Sequence, residues 1–99
     1  MKYGLFGKFV AVDGRRDELI EILLKAAELL QKNDDCISYI VGKSDEPNEV
    51  WISELWESKD AHDRSLEPDD IRSLVMTARP LIADMPAGTE FQAIGGKSF

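Results

Sequence analysis

Cysteine and histidine occur once each, as Cys36 and His62. One cysteine excludes an intrachain disulfide. One Cys and one His cannot furnish a structural zinc site, so no metal is expected. Cys36 has neither a nearby cation nor a second thiol in sequence to make it reactive, and it reads as a small hydrophobe at a strand start. Long apolar runs are missing too; none reaches the roughly 20 residues of a membrane span. Basic residues are few, 12 Lys and Arg against 19 Asp and Glu, for a net charge of −7. No basic run exceeds Arg15-Arg16. A nucleic-acid backbone or an anionic membrane calls for a positive patch, so neither is an expected partner. No signal-peptide apolar segment opens the chain, and the cytoplasm is the expected address. There is no internal repeat and no low-complexity segment. The Gly95-Gly96 pair follows a strand instead of opening a helix, so it is no phosphate loop.

What is present suits one soluble domain over residues 1–99. The 99 residues are 43% hydrophobic and 31% charged, an ordinary globular balance. A core at this size leaves a thin stability margin, which a partner subunit would widen.

Tyr3–Val12 reads as a strand with apolar residues on both faces: Leu5, Phe9 and Ala11 with Gly7, against Phe6, Val10 and Val12 with Lys8. Gly7 inside a strand marks a bulge or a close approach to the backbone. Asp13-Gly14 turns the chain into a helix over about 15–32. Its buried stripe runs Leu19, Ile20, Leu23, Ala26, Ala27 and Leu30; Ile22, Leu24 and Leu29 widen it. Cys36–Lys43 is a second strand, with Ile37, Tyr39 and Val41 opposite Cys36, Ser38 and Ile40. A polar loop with Pro47 leads to a third strand, Glu49–Glu57, again apolar on both faces: Val50, Ile52 and Trp56 against Trp51 and Leu55. Pro68 opens a later helix, whose stripe is Ile71, Leu74, Val75, Ala78, Leu81, Ile82 and Met85. Pro80 should kink or end it near Arg79. Thr89–Ile94 is a last strand.

The segment from Ser58 to Glu67 is the unusual one. Ser58 suits a helix N-cap, and Asp60 places negative charge in the first turn. Read as a helix, its outward side carries Lys59, Asp60, Asp63, Arg64 and Glu67. The inward side carries Ala61, His62, Ser65 and Leu66. A core-facing helix would put Leu or Ile at 62 and 65. Small inward residues leave room beneath the helix, and a histidine pointing into that room can move a proton. The plainer reading is a hydrogen-bonded polar residue at a rim, with Ser65 capping the next helix.

The order β-α-β-β-α-β is the α+β, ferredoxin-like plan: two split β-α-β units, a four-stranded antiparallel sheet, helices on one face. The first and third strands are apolar on the face that the plan leaves open. A large uncovered apolar face is an association surface, so a homodimer through the open sheet face is expected.

With these elements in place, the chain resembles the antibiotic-biosynthesis-monooxygenase superfamily, the dimeric α+β barrels that include quinol-monooxygenase-like proteins. The marks are Val12-Asp13-Gly14-Arg15, Asp35-Cys36-Ile37-Ser38-Tyr39, Glu54-Leu55-Trp56-Glu57-Ser58-Lys59-Asp60-Ala61-His62, Arg79-Pro80-Leu81-Ile82 and Gly95-Gly96. Many members carry a histidine at the position of Ser65; here it stands one turn earlier, at His62. The resemblance implies a pocket between sheet and helices, with oxygen chemistry free of flavin and metal in some members, haem binding and cleavage in others, and isomerisation of small carbonyl compounds in one branch. Three readings follow. The first is a monooxygenase without cofactor that acts on a small aromatic or quinol substrate with O2. His62 would be base or proton shuttle, Ser65 would orient it or the substrate, and Trp51 or Trp56, whichever faces the helices, would wall the pocket over Phe9 and Gly7. The tryptophans also read as plain core or dimer packing. The second is an isomerase or tautomerase that uses the same base. The third is a non-catalytic binding module, or a haem binder with His62 as axial ligand.

Overall fold

The computed structural model describes all 99 residues. Strand β1 (Lys2–Ala11) leads to helix α1 (Arg16–Leu30), then to the hairpin of β2 (Cys36–Lys43) and β3 (Glu49–Trp56). Helices α2 (Lys59–Arg64) and α3 (Asp69–Ala78) follow, then a 3-10 turn (Arg79–Leu81) and the short strands β4 (Ile82–Asp84) and β5 (Thr89–Ala93). The sheet runs β2-β3-β1-β4, with β5 also on β1. All pairings are antiparallel. This is the ferredoxin-like α+β arrangement, with β1 and β3 central.

One strand position differs from the sequence reading. The edge beside β1 is filled twice, by β4 against Val10 and Ala11 and by β5 against Lys2–Phe6. The apolar pattern through Ile82 and Met85 looked helical, but Pro80 has no N–H to continue a helix. Helix α3 therefore stops at Ala78, and the chain leaves the 3-10 turn as a strand. Gly88, between the two strands, passes so close to β1 that a Cβ on it would lie 3.2 Å from the Phe6 carbonyl oxygen. A Cβ on Gly7 would lie 3.3 Å from the Gly88 Cα, which is the close approach that a glycine within β1 signalled.

Register sorts the side chains. Tyr3, Leu5, Gly7 and Phe9 of β1 stand beside Trp56, Glu54, Ile52 and Val50 of β3. These residues share the face turned to the helices. A register shift between Cys36 and Ser38 sets Cys36 beside Trp56, so Cys36 joins this face and not the Ser38–Ile40 face where strict alternation had put it. The opposite face carries Phe6, Ile40 and Phe91, which are 46%, 60% and 48% exposed. Trp51 stacks on Phe6 there, ring centroids 5.2 Å apart. This face has no helix on it.

The packed core has two parts. Leu19 and Leu23 of α1, Val50 and Ile52 of β3, and Ala11, Ala78 and Leu81 form one cluster. Trp56, Ala61 and Ile71 are buried outside it. Leu19 is fully buried, and its truncation to alanine carries the usual cost of about 2–5 kcal/mol. Between the two parts the side chains do not close up.

Candidate active site

That gap is a cavity of about 380 Å³ between sheet and helices. Its floor is Leu5, Phe9, Tyr39, Glu54 and Trp56; its roof is His62 and Ser65 of the α2 segment with Ile71, Val75 and Ala78 of α3. Arg79, Ile82 and Met85 complete the wall. A second hollow of about 220 Å³ shares Leu5, Phe9, Tyr39, Glu54 and Met85 and adds Gly7 and Gly88. Sites of this kind, mostly apolar with a few convergent polar groups, are the usual places for small ligands.

Helix α2 sets His62 over this space. It has six residues, too few to persist alone, and it starts on a cap: Ser58 Oγ accepts the Ala61 N–H at 3.0 Å. Ala61 is buried against the sheet, which fixes the rotation of the helix and turns the next residue toward the cavity. The His62 ring sits 5.5 Å from both the Tyr3 and the Trp56 rings, edge-on to the indole. Nδ1 lies 3.0 Å from Asp63 Oδ1. A carboxylate only accepts, so Nδ1 is the donor, and in the neutral imidazole that leaves the lone pair on Nε2. Nε2 points inward and lies 3.8 Å from Glu54 Oε1. The His62 and Glu54 side chains are 17% and 11% exposed.

Glu54 is the site residue that sequence reasoning passed over. It lies on the helix-facing side of β3 among Val50, Ile52 and Trp56, and an acid in an otherwise apolar alternating face was the available signal. Burial raises its pKa; the Trp56 hydrogen bond and the nearby His62 pull the other way without overcoming it. The Trp56 indole N–H donates to Glu54 Oε1 at 3.0 Å. Tyr39, its cross-strand neighbour, also lines both hollows, and its phenol is raised by burial first and by Glu54 second. Burial pushes the Cys36 thiol up to about 11, so it stays protonated and unreactive at neutral pH.

The residues expected at the site separate as follows. His62, Ser65, Phe9 and Trp56 meet on the main cavity, and Gly7 lies on the smaller hollow. Trp51 does not reach either one; alternation puts it on the opposite face, against Phe6. The Ser65 hydroxyl donates to the His62 carbonyl oxygen at 2.5 Å, from the C-cap of α2. Ser65 does not cap α3, whose N-cap is Pro68. No three His, Cys, Asp or Glu side chains converge as a metal site, and no helix is long and apolar enough to cross a membrane.

Residues 3–75 match the family model of antibiotic biosynthesis monooxygenases. The chain belongs to that family. A crystal structure from Chloroflexus aurantiacus, assigned to the same family, is 36% identical, with 97% of this chain and 96% of that one aligned at a TM-score of 0.89. Another, from Caulobacter crescentus, is 20% identical over 95% of this chain and 91% of that one, TM-score 0.86. SnoaB of Streptomyces nogalater, described as a cofactor-independent oxygenase, is 15% identical over 97% and 96%, TM-score 0.79. At those last two identities the likeness is one of fold. No curated protein matches the chain. The family match ends within α3, so Arg79 and Met85 in the cavity wall lie beyond it.

Proposed function

We propose that the chain is a cofactor-independent monooxygenase that oxidises a small quinol-type aromatic with dioxygen, with His62 as the base. The observation that carries this is the His62 imidazole, backed by Asp63 at 3.0 Å, with its free Nε2 turned into an apolar cavity. A deprotonated quinol is electron-rich enough to reduce dioxygen itself. The protein then has to remove a proton, hold the ring and keep out water. Family membership supports the oxygen chemistry, and the cavity's size and lining support an aromatic substrate.

In this reading His62 takes the phenolic proton. The phenolate gives two electrons, one at a time, to dioxygen, and a C–O bond forms at the neighbouring ring carbon. That carbon then loses its hydrogen as a proton, the O–O bond breaks, and the products are a quinone with one new oxygen and one water. Trp56 and Phe9 hold the ring, with Gly7 leaving space at the far end. Ser65 serves the site by tying the end of α2 beneath His62 and by offering lone pairs to the substrate. The open sheet face, with Trp51 and Phe6, seats a second copy of the chain. The enzyme works in the cytoplasm.

The test is oxygen uptake by wild type and His62→Ala, metal chelated, over a panel of hydroquinones. Uptake should fall about 100- to 10,000-fold in the variant. Equal uptake in both would remove His62 from the chemistry.

A further inference from the structure

The proposed reaction moves two protons, and His62 holds one at a time. Glu54 is the other acid or base buried beside it. Its Oε1 is occupied, accepting the Trp56 indole N–H at 3.0 Å and facing His62 Nε2 at 3.8 Å. Its Oε2 has no hydrogen-bond partner in the protein, yet no buried polar side-chain atom is left unpartnered. Oε2 therefore keeps accessible surface, and the spaces beside Glu54 are the main cavity and the smaller hollow that it lines.

We propose that Glu54 is the acid that works opposite the His62 base, its Oε2 giving a proton to an oxygen of the ligand in the cavity. Which oxygen that is rests on the monooxygenase reading. There, His62 takes the phenolic proton, and Glu54 gives its own to the outer oxygen of the ring-bound peroxide. The Glu54 carboxylate then takes the proton from the ring carbon as that carbon's electron pair forms the new C=O and the O–O bond breaks. The departing hydroxide takes the proton on His62 and leaves as water. Both side chains end as they began: the water carries the phenolic hydrogen and the one Glu54 gave, and the ring-carbon hydrogen replaces the latter on Glu54.

The surroundings fit that role. Tyr3 of β1, Tyr39 and Cys36 of β2, His62 of α2 with Asp63 behind it, and Arg79 of the 3-10 turn are ionisable groups around Glu54 and its cavity, and Lys8, paired with Glu49, lines the smaller hollow. Burial raises both phenols and pushes the thiol up to about 11, so none of these gives up a proton near neutral pH. Arginine does not deprotonate in proteins. Burial raises Glu54 as well, which for a carboxyl means a proton kept longer.

Glu54→Gln tests the assignment, because glutamine still accepts the Trp56 N–H and cannot pass a proton. A merely structural role would survive the change. With a hydroquinone that the wild type oxidises, kcat should fall about 100-fold or more with KM little changed, and Glu54→Asp should recover part of the loss. A second readout needs no turnover. Infrared difference spectra on binding naphthohydroquinone under argon, with isotope-labelled glutamate, should contain the band of a protonated carboxylic acid in wild type and lack it in Glu54→Gln. If the wild type lacks that band, or if Glu54→Gln turns over like wild type, Glu54 is not the acid. If the band is present and the wild type consumes no oxygen with any quinol, the acid assignment stands and the monooxygenase reading falls.

Discussion

Trp56 donates its indole N–H to Glu54 at 3.0 Å, two positions back along the same face of β3. The contact fixes a buried acid under His62 and spends the one donor of a tryptophan that is 1% exposed. Replacing Trp56 by Phe keeps an aromatic ring and removes the donor. The lost bond leaves a buried acceptor, at a cost of about 1–3 kcal/mol, and the smaller ring adds a void. Urea unfolding should register at least that loss, and naphthohydroquinone binding should weaken. A variant as stable as wild type would mean that the bond is strained or solvated.

Helix α2 depends on its cap. Ser58→Ala removes the acceptor for the Ala61 N–H, which should cost about 1 kcal/mol. In a domain of this length that lowers Tm by about 4–8 °C. Activity should fall beyond what the lost stability explains, since His62 is the residue after Ala61. Calorimetry and oxygen uptake on one preparation separate the two effects.

Glu54 makes stability depend on pH with a defined sign. Its native pKa is raised above the ordinary 4.5, with burial the largest cause. The native chain thus holds this proton more tightly than the unfolded chain does. The stability it contributes is complete below the ordinary carboxylate range and is lost as pH rises through the raised native value. Glu54→Gln never ionises and escapes that loss. Denaturation midpoints of the two proteins should separate as pH climbs from acid toward neutral, with the glutamine variant gaining on wild type. A gap that does not change with pH would contradict the raised value.

The open face of the sheet makes its own prediction. Phe6 and Trp51 stack there with Ile40 and Phe91 nearby, and a homodimer would bury them. Trp51→Glu places a charge at the centre of that patch. Buried aromatic anchors of an interface commonly cost 2 kcal/mol or more when lost, so the dimer dissociation constant should rise about 30-fold or more. Sedimentation velocity should show a dimer for wild type and a concentration-dependent monomer for the variant. A wild type that sediments as a monomer at all concentrations would contradict the homodimer.

Much of this was legible in the chain itself. The period of two in β1 and β3 and the helical stripe of α1 gave the fold, because those patterns are the ones that bury one face. The small inward residues of α2 announced the cavity, and His62 was found there. Other parts were not local properties. Whether Trp51 or Trp56 faced the helices depends on which side α1 and α3 cover, and alternation alone is blind to that. The Cys36–Ser38 register shift reverses a face without changing composition. Strand β4 was hidden because Leu81, Ile82 and Met85 continue the helical spacing of α3 past Pro80. Glu54 was visible as an acid in an apolar row, but its meaning came from burial and from His62 at 3.8 Å, a contact made between strand and helix.

The most direct measurement is the mass of the product formed from a hydroquinone under heavy-isotope dioxygen. The account predicts a quinone that gains one labelled oxygen per turnover, with the second label in water, and a rate that collapses in His62→Ala. A product with the mass of the starting compound, or one formed equally well under argon, would contradict it and would make the cavity the site of an isomerisation.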